Sequence, residues 1–393
     1  MRGAPMEIPP LVALGGELNA NQRRKYSRHL VIPDVGDAGQ RRITNARVLC
    51  VGAGGLGSPV LMYLAAAGIG TLGIVDFDVV DESNLHRQII HGHSDIGRKK
   101  TESAREKIAE INPDVNVEIH DVRLDVENVM EIFSQYDIVV DATDNFASRY
   151  LINDACVLLK KPCIWGSIYR FDGQASVFWA EYGPCYRCLH PLPPPWGSVP
   201  SCEEGGVLGV LCSSIGSVQV TEAIKLITGI GEPLIGSIII YDALEMSYRK
   251  IAIHKDPQCS ICSANPEQSQ LLEDYAAFCG VISTSQPGIG QRTSLTAIEL
   301  KTRLDSGSKL LLIDVREPSE WEKGRIPGAT LIPQRTFLDE SLINRLPKDV
   351  PIVLYCHAGH RSADVLTLLL NNGLSNAIHL DGGILAWQGE IER

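Results

Sequence analysis

The chain has 393 residues, 44% of them apolar and 21% charged, an ordinary globular composition with material for two or three domains. Its net charge of −11 speaks against nucleic acid as the main partner. No apolar run approaches the roughly 18 residues of a membrane span, and the N-terminus lacks a signal-peptide pattern. Eleven cysteines in such a chain read as metal ligands and reactive thiols in a reducing, cytoplasmic setting.

In chain order, residues 1–20 contain Pro and Gly and are expected to be loosely ordered. Asn21 to Leu30 (NQRRKYSRHL) carries helix formers and predicts a helix. Arg47 to Asp78 is then a strand, a glycine turn, a helix and a second strand. Val48 to Val51 is the first strand, and Gly52, Gly54, Gly55 and Gly57 fit G-x-G-x-x-G. Ser58 to Ala67 has helical apolar spacing and stops at Gly68. Thr71 to Val75 is the next strand, followed by Asp76 and Asp78. Backbone N–H groups at such a turn approach an anion, and a carboxylate about 20 residues on suits a ribose hydroxyl. The segment therefore binds a nucleotide, and by itself it proposes NAD.

A polar stretch follows, then a helix from Lys99 to Ile111, a strand from Val115 to Ile119 and a short helix from Val126 to Phe133. Asp137 to Ala142 is a buried strand, and Thr143-Asp144-Asn145 leads into a helix reaching Lys160. Alternating strands and helices predict an α/β fold, a Rossmann-like, doubly wound, mostly parallel sheet with ligands at the carboxyl ends of its strands. CIWGSIY and ASVFWAEY form a strand pair, Ile215 to Thr228 a helix, and SIIIYDAL and SYRKIAI the closing strands. The stretch 266–292 is linker-like despite some helical spacing in Leu271 to Phe278. A second, small α/β pattern fills 293–393.

Cys185-x-x-Cys188 and Cys259-x-x-Cys262 each offer two thiolates to one ion, and together they complete a closed tetrahedral site. The chemistry favours structural Zn²⁺ over redox, because neither pair opens a helix after a strand. Arg87 and Asn84, in a segment opening at Ser83, suit phosphate, and Lys100 adds a point charge. Asp144 is placed to hold Mg²⁺ on a triphosphate or to cap the following helix. Cys356 follows a strand and opens a tight loop into a helix, where backbone N–H groups converge on sulfur and Arg361 favours the thiolate. Cys50, Cys156, Cys163 and Cys212 lie in apolar segments and belong in the core; Cys279 has no assigned role.

GxGGLGxP, VDFDxVxxSNLxRQ, a following Lys, DATDN and the paired C-x-x-C together resemble the MoeB/ThiF form of the ubiquitin-activating-enzyme superfamily over 21–265. LLLIDVR, GRIPGA, CHAGHRS and DGGILAW in 293–393 resemble a rhodanese domain, so the whole looks like the MoeZ-type adenylyltransferase/sulfurtransferases and their eukaryotic relatives. The resemblance implies ATP with Mg²⁺ rather than NAD. It also implies adenylation of the C-terminal Gly-Gly carboxylate of a ubiquitin-like sulfur carrier protein. Carried over by position, Gly55, Asp76, Ser83, Asn84, Arg87, Lys100, Asp144 and Asn145 are ATP-site residues, and Arg28 is lent across a homodimer.

A sulfur donor such as a cysteine desulfurase would load Cys356 with a persulfide, and Cys202 would attack the acyl-adenylate or resolve an acyl-disulfide. The resemblance admits molybdopterin, thiamine, cysteine and tRNA-thiolation pathways. The Ser263–Arg292 connector is the expected pivot between the two chemistries. The rivals are an NAD-dependent oxidoreductase, which leaves the rhodanese loop unexplained, and a nucleotide-binding scaffold without catalysis. Arg87, Lys100 and Asp144 speak against the scaffold.

Overall fold

Val48, Leu49 and Cys50 have no exposed surface, so strand β1 (Arg47–Val51) is an unbroken apolar run instead of an alternating one. This computed structural model describes residues 8–194, 205–279 and 294–392, in two units of which the first ends at Tyr275. The first unit also contains β2 (Thr71–Val75), β3 (Asn116–His120), β4 (Ile138–Asp141), β5 (Cys163–Tyr169), β6 (Asp172–Phe178), β7 (Ser237–Asp242) and β8 (Ser247–Ala252). They form one sheet in the order β3-β2-β1-β4-β5-β6-β7-β8. From β3 to β5 every pairing is parallel; β6, β7 and β8 continue the sheet antiparallel. The order reverses direction between β1 and β4, and that is where a doubly wound sheet opens a crevice.

The helix Gly57–Ala67 ends at Gly68, which takes the left-handed conformation (φ 84°) of a C-cap. At its start a Cβ on Gly57 would lie 1.9 Å from the Gly52 carbonyl oxygen, so only glycine lets the helix pack this tightly against the turn. The helix Val210–Thr228 begins five residues before the expected Ile215, because Leu211 and Cys212 extend its buried face by a turn. Its 19 residues and mean hydropathy of 1.3 would suit a membrane span, yet it is a core helix packed on β5, β6 and Gly57–Ala67.

Two expectations are corrected at the N-terminal side. The helix expected over 21–30 is two short ones, Ala20–Lys25 and Ser27–Leu30, divided at Tyr26. Tyr26 is buried and its hydroxyl accepts a hydrogen bond from Asn112 (2.9 Å), which turns the backbone inward between the two helices. Residues 8–19, expected to be loose, are fixed: Leu11 N–H donates to Leu226 O at 2.9 Å, Val12 and Leu18 are buried, and the Arg41 guanidinium holds the Gly15 and Gly16 carbonyls.

The second unit holds β9 (Ser294–Leu295), β10 (Leu311–Asp314), β11 (Thr330–Leu331), β12 (Ile352–Tyr355) and β13 (Ala377–Leu380) in a parallel sheet ordered β11-β10-β12-β13-β9. Alternate residues serve opposite faces: Ile313 and Leu354 pack with Val365 and Leu369, while Leu312 and Val353 pack with Leu295 and Leu380.

A buried carboxylate ties the cysteine pairs to the first sheet. Asp154, with no exposed surface, accepts two hydrogen bonds from Arg187 (2.8 Å each), one from Gln268 (2.8 Å) and one from the Tyr275 hydroxyl (2.7 Å). Gln268 and Tyr275 come from the stretch expected to begin the connector. Asp154→Ala would strand the buried Arg187 and is expected to destabilise the first unit by about 3–5 kcal/mol. Urea unfolding of the full chain measures this, and a loss below about 1 kcal/mol would place the junction's stability elsewhere.

Candidate functional site

The glycine turn leaves β1 at the crevice between β1 and β4. Asp76, just past β2, does not stand free there: one carboxylate oxygen accepts from Ala53 N–H (2.8 Å) and the other from Asp78 N–H (2.9 Å). These bonds use one lone pair on each oxygen, so a ribose hydroxyl can still donate to the carboxylate. The turn is packed from behind by two thiols. A Cβ on Gly55 would come within 2.7 Å of the Cys212 sulfur, and one on Gly57 would lie 3.6 Å from that of Cys50. Burial pushes the Cys50 thiol far up, and Asp76 and Asp141 add to that, so it is an inert packing group.

Lys100 opens the helix Lys100–Ile111 and sends its ammonium to Asp78 at 2.9 Å. Lys100 is almost wholly buried whereas Asp78 is half-exposed, so the pair presents charge at the crevice from a fixed stem. Asp81 Oδ1 accepts from the Ser83 amide and hydroxyl, and Asn84 Nδ2 donates to Ser83 Oγ at 3.4 Å. Arg87 folds back on this turn, donating to the Ser83 carbonyl at 3.1 Å.

Opposite, Asp144 is exposed and its carboxylate carries no hydrogen bond or ion pair among the described residues. It does not cap the following helix: that is Asn145, whose Oδ1 accepts from Ser148 N–H at 2.9 Å. Asp144 is thus left with both oxygens open to a cation such as Mg²⁺. Arg28 is exposed on its one-turn helix, and no hydrogen bond or ion pair ties it to this cluster among the described residues.

Cys185, Cys188, Cys259 and Cys262 converge, with Sγ–Sγ distances of 3.9 Å (185–188), 3.6 Å (185–259) and 3.4 Å (188–262). A tetrahedron of metal–sulfur bonds of about 2.3 Å has edges of about 3.8 Å, so the four sulfurs fit a zinc ion. Cys185 also caps a one-turn helix, Tyr186–Leu189. Closure of the site by the second pair still separates it from a redox motif.

In the second unit Cys356 directly follows β12 and is buried. Gly359 N–H donates to its sulfur at 3.1 Å, and Ser362 Oγ lies 3.6 Å from it. Gly359, at φ 98°, turns the loop into the helix His360–Asn371. The Asp381–Gly383 turn braces the loop's other side, Ile384 and Leu385 donating to the Cys356 and His357 carbonyls at 2.8 and 3.1 Å. Arg361, expected to favour the thiolate directly, forms a two-pronged pair with Glu320 at 2.8 Å. Burial alone would raise the Glu320 carboxyl, but hydrogen bonds from Arg361 and the Glu317 amide outweigh it and hold it down at about 2.

Cys202 lies outside the described residues. Sequence reasoning passed over His91, which is buried between the glycine turn and the Lys100 helix, and Arg149. Arg149 is nearly buried between Phe146 and Trp165 and donates to the Thr143 carbonyl (3.3 Å) and Ser167 Oγ (3.1 Å). A lone His or Arg in a polar stretch carries no local signal for such a partner.

Among protein families, residues 26–261 match the ThiF family and residues 296–390 the rhodanese-like domain. The chain is 54% identical over 389 residues to the probable adenylyltransferase/sulfurtransferase MoeZ of Mycobacterium tuberculosis, covering 98% of this chain and 97% of that one. It is 40% identical over 387 residues to the adenylyltransferase and sulfurtransferase MOCS3 of Drosophila ananassae, covering 96% and 85%. It is also 52% identical over 262 residues to the sulfur carrier protein adenylyltransferase of Thermus thermophilus, covering 65% and 96%. The crystal structure of E. coli MccB superposes with a TM-score of 0.57 at 22% identity, covering 63% of this chain and 75% of that one, a likeness of fold.

Glu320 titrates lower in the folded chain than in the unfolded one, so its contribution is present above about pH 4.5 and is lost as pH falls toward 2. After allowance for the solvent reaching the pair, that contribution is about 1–2 kcal/mol. Glu320→Gln is expected to flatten the acid loss of stability over this window by that amount, read as the urea midpoint from pH 6 to pH 2.5. An unchanged acid profile would remove the pair as its cause.

Proposed function

Since this chain belongs to the ThiF family and carries a rhodanese-like domain behind the ThiF region, we infer how its two sites divide the work of an adenylyltransferase and sulfurtransferase. It uses ATP, as the family's adenylation chemistry requires, and the NAD reading falls. The substrate of the first unit is the C-terminal Gly-Gly carboxylate of a ubiquitin-like sulfur carrier protein. The naming of the Thermus relative as a sulfur carrier protein adenylyltransferase supports this class. The working division is adenylation in the first unit through Tyr275, a connector shortened from 266–292 to 276–292, and 293–393 for sulfur transfer.

The observation that carries the reading is the crevice itself. Lys100 on Asp78, Arg87, the glycine turn and an uncommitted Asp144 stand at the carboxyl ends of adjacent strands. The carrier's carboxylate attacks the α-phosphorus of ATP, forming the acyl–phosphate bond as the bond to pyrophosphate breaks. No base is needed, because that carboxylate is already ionised at neutral pH. Lys100 and Arg87 offset the charge developing on the phosphates, with Arg28 lent by a second copy of the chain. Asp144 would hold Mg²⁺, which supplies further charge neutralisation when bound. Ser83, Asn84 and Asn145 complete the nucleotide's polar surround.

In the second unit the Cys356 thiolate takes the sulfane sulfur of a donor persulfide, such as that of a cysteine desulfurase, and releases the donor's thiolate. The terminal sulfur of the Cys356 persulfide then attacks the acyl carbon and AMP leaves. Cys202 attacks the resulting acyl-disulfide at the Cys356 sulfur, which frees the thiocarboxylate; a thiol reductant then reopens the Cys202–Cys356 disulfide. This chemistry and the cysteine site both need reduced thiols, which supports a cytoplasmic setting. Zinc held by Cys185, Cys188, Cys259 and Cys262 would have no open position and serves the fold.

ATP–pyrophosphate exchange with a Gly-Gly-ended carrier tests the first half. Asp144→Ala is expected to lower it by at least about a hundredfold, and undiminished exchange would reject Asp144. Thiosulfate:cyanide sulfur transfer should vanish in Cys356→Ala while exchange persists; its survival would reject that nucleophile. Cys259→Ser should lose one equivalent of zinc by elemental analysis and melt at lower temperature, whereas a purified wild-type chain without zinc would refute the metal assignment.

A further inference from the structure

His91 is a buried titratable side chain that the adenylation scheme leaves without work. Its ring joins two parts of the nucleotide crevice that come from different elements. Nε2 lies 2.9 Å from the carbonyl oxygen of Ala53, in the glycine turn. Nδ1 lies 2.8 Å from the hydroxyl of Ser103, one turn along the helix that Lys100 opens. We propose that His91 is a positioning residue for ATP, holding the Ala53 carbonyl so that the Gly54 N–H is turned to the phosphates. This rests on ATP occupying the glycine turn.

The geometry fixes the ring's chemistry. A carbonyl oxygen only accepts, so Nε2 must carry the proton that binds Ala53. The Ala53 carbonyl thereby selects the tautomer, and in the neutral ring Nδ1 is left as the acceptor facing the Ser103 hydroxyl. Burial pushes the His91 pKa down, and the nearby Lys100 charge pushes the same way, against the Ala53 hydrogen bond and the Asp95 and Asp76 charges. The ring is accordingly neutral at pH 7, with a single donor aimed at the turn.

The consequence follows from peptide planarity. In a trans peptide the carbonyl and the next residue's N–H point in opposite directions. Ala53 O is held by His91, so the Gly54 N–H of the same peptide points away from the His91 ring. Ala53's own N–H is held by Asp76 at 2.8 Å. The peptides on both sides of the Ala53 α-carbon are therefore oriented before any nucleotide arrives. A preset N–H costs the ligand no loop ordering on binding.

The test separates phosphate affinity from affinity for the nucleoside, because a general loss of structure would lower both. Calorimetric titration of the full chain with ATP and with adenosine is made for wild type, His91→Phe, His91→Gln and Lys100→Ala. Phenylalanine fills the space without a donor; glutamine restores an amide N–H at the reach of Nε2. His91→Phe should weaken ATP about tenfold, as for one lost hydrogen bond to an oriented group, with adenosine changed by less than about twofold. His91→Gln should stay within about threefold of wild type for both ligands.

Equal weakening of ATP and adenosine in His91→Phe, or a loss in His91→Gln as large as in His91→Phe, would overturn the proposal. Wild-type ATP affinity in His91→Phe beside weakened affinity in Lys100→Ala would overturn it too, while leaving ATP in the glycine turn. No change in either variant would reject both statements. Should His91→Phe fail to fold, Ser103→Ala gives the same contrast. A loss for ATP of about threefold or more with adenosine unchanged supports the relay, and unchanged affinity for both sinks it.

Discussion

The first unit depends on how closely the backbone can approach itself at the end of β1. Gly57 sits so near the Gly52 carbonyl that no side chain fits, and that closeness starts the helix Gly57–Ala67 directly against the strand. The Asp76 carboxylate then holds the Ala53 amide from the end of β2. One carboxylate thus locks the tips of two neighbouring parallel strands, and the crevice between β1 and β4 inherits a rigid floor. Lys100, Arg87 and Asp144 stand beside that floor, and a charge aimed at a ligand is worth most where the backbone around it holds still.

The second unit solves a related problem with sulfur. The Cys356 sulfur is buried and accepts the Gly359 N–H in place of solvent. The turn at Gly382 and Gly383 engages the Cys356 and His357 carbonyls through the Ile384 and Leu385 N–H groups. Arg361 answers first to Glu320. The oriented Gly359 amide is thus a direct contact of the sulfur, while the Arg361 guanidinium is engaged by a carboxylate.

Features with a fixed local spacing were legible in the sequence. The glycine turn, the paired C-x-x-C motifs and the strand–loop–helix around Cys356 each need particular residues at particular offsets, and the structure assembles each of them. What escaped were partners chosen across the fold. Asn145 takes the cap that Asp144 was equally able to take, a decision between two neighbouring good caps. Tyr26 breaks a sequence with uniform helix propensity because its ring is wanted in the core and its hydroxyl by Asn112. Residues 8–19 look loose by composition and are held by Arg41 and the far helix Val210–Thr228. Periodicity and composition see one segment at a time, and each of these outcomes was settled by another segment.

Asp154 also bears on how the chain is made. Its last hydrogen-bond partner, Tyr275, lies 121 residues downstream, and Cys185 meets Cys259 only 74 residues after it is synthesised. At about 5–20 residues per second, roughly 6–24 s separate the appearance of this carboxylate from the completion of its shell. Through that interval the nascent chain holds an acidic group without its full cover, and for part of it a cysteine pair without its mate. Cys259 and Cys262 complete the sulfur cluster first, and the turn near Tyr275 then completes the carboxylate's shell, after nearly all of the first unit has been made.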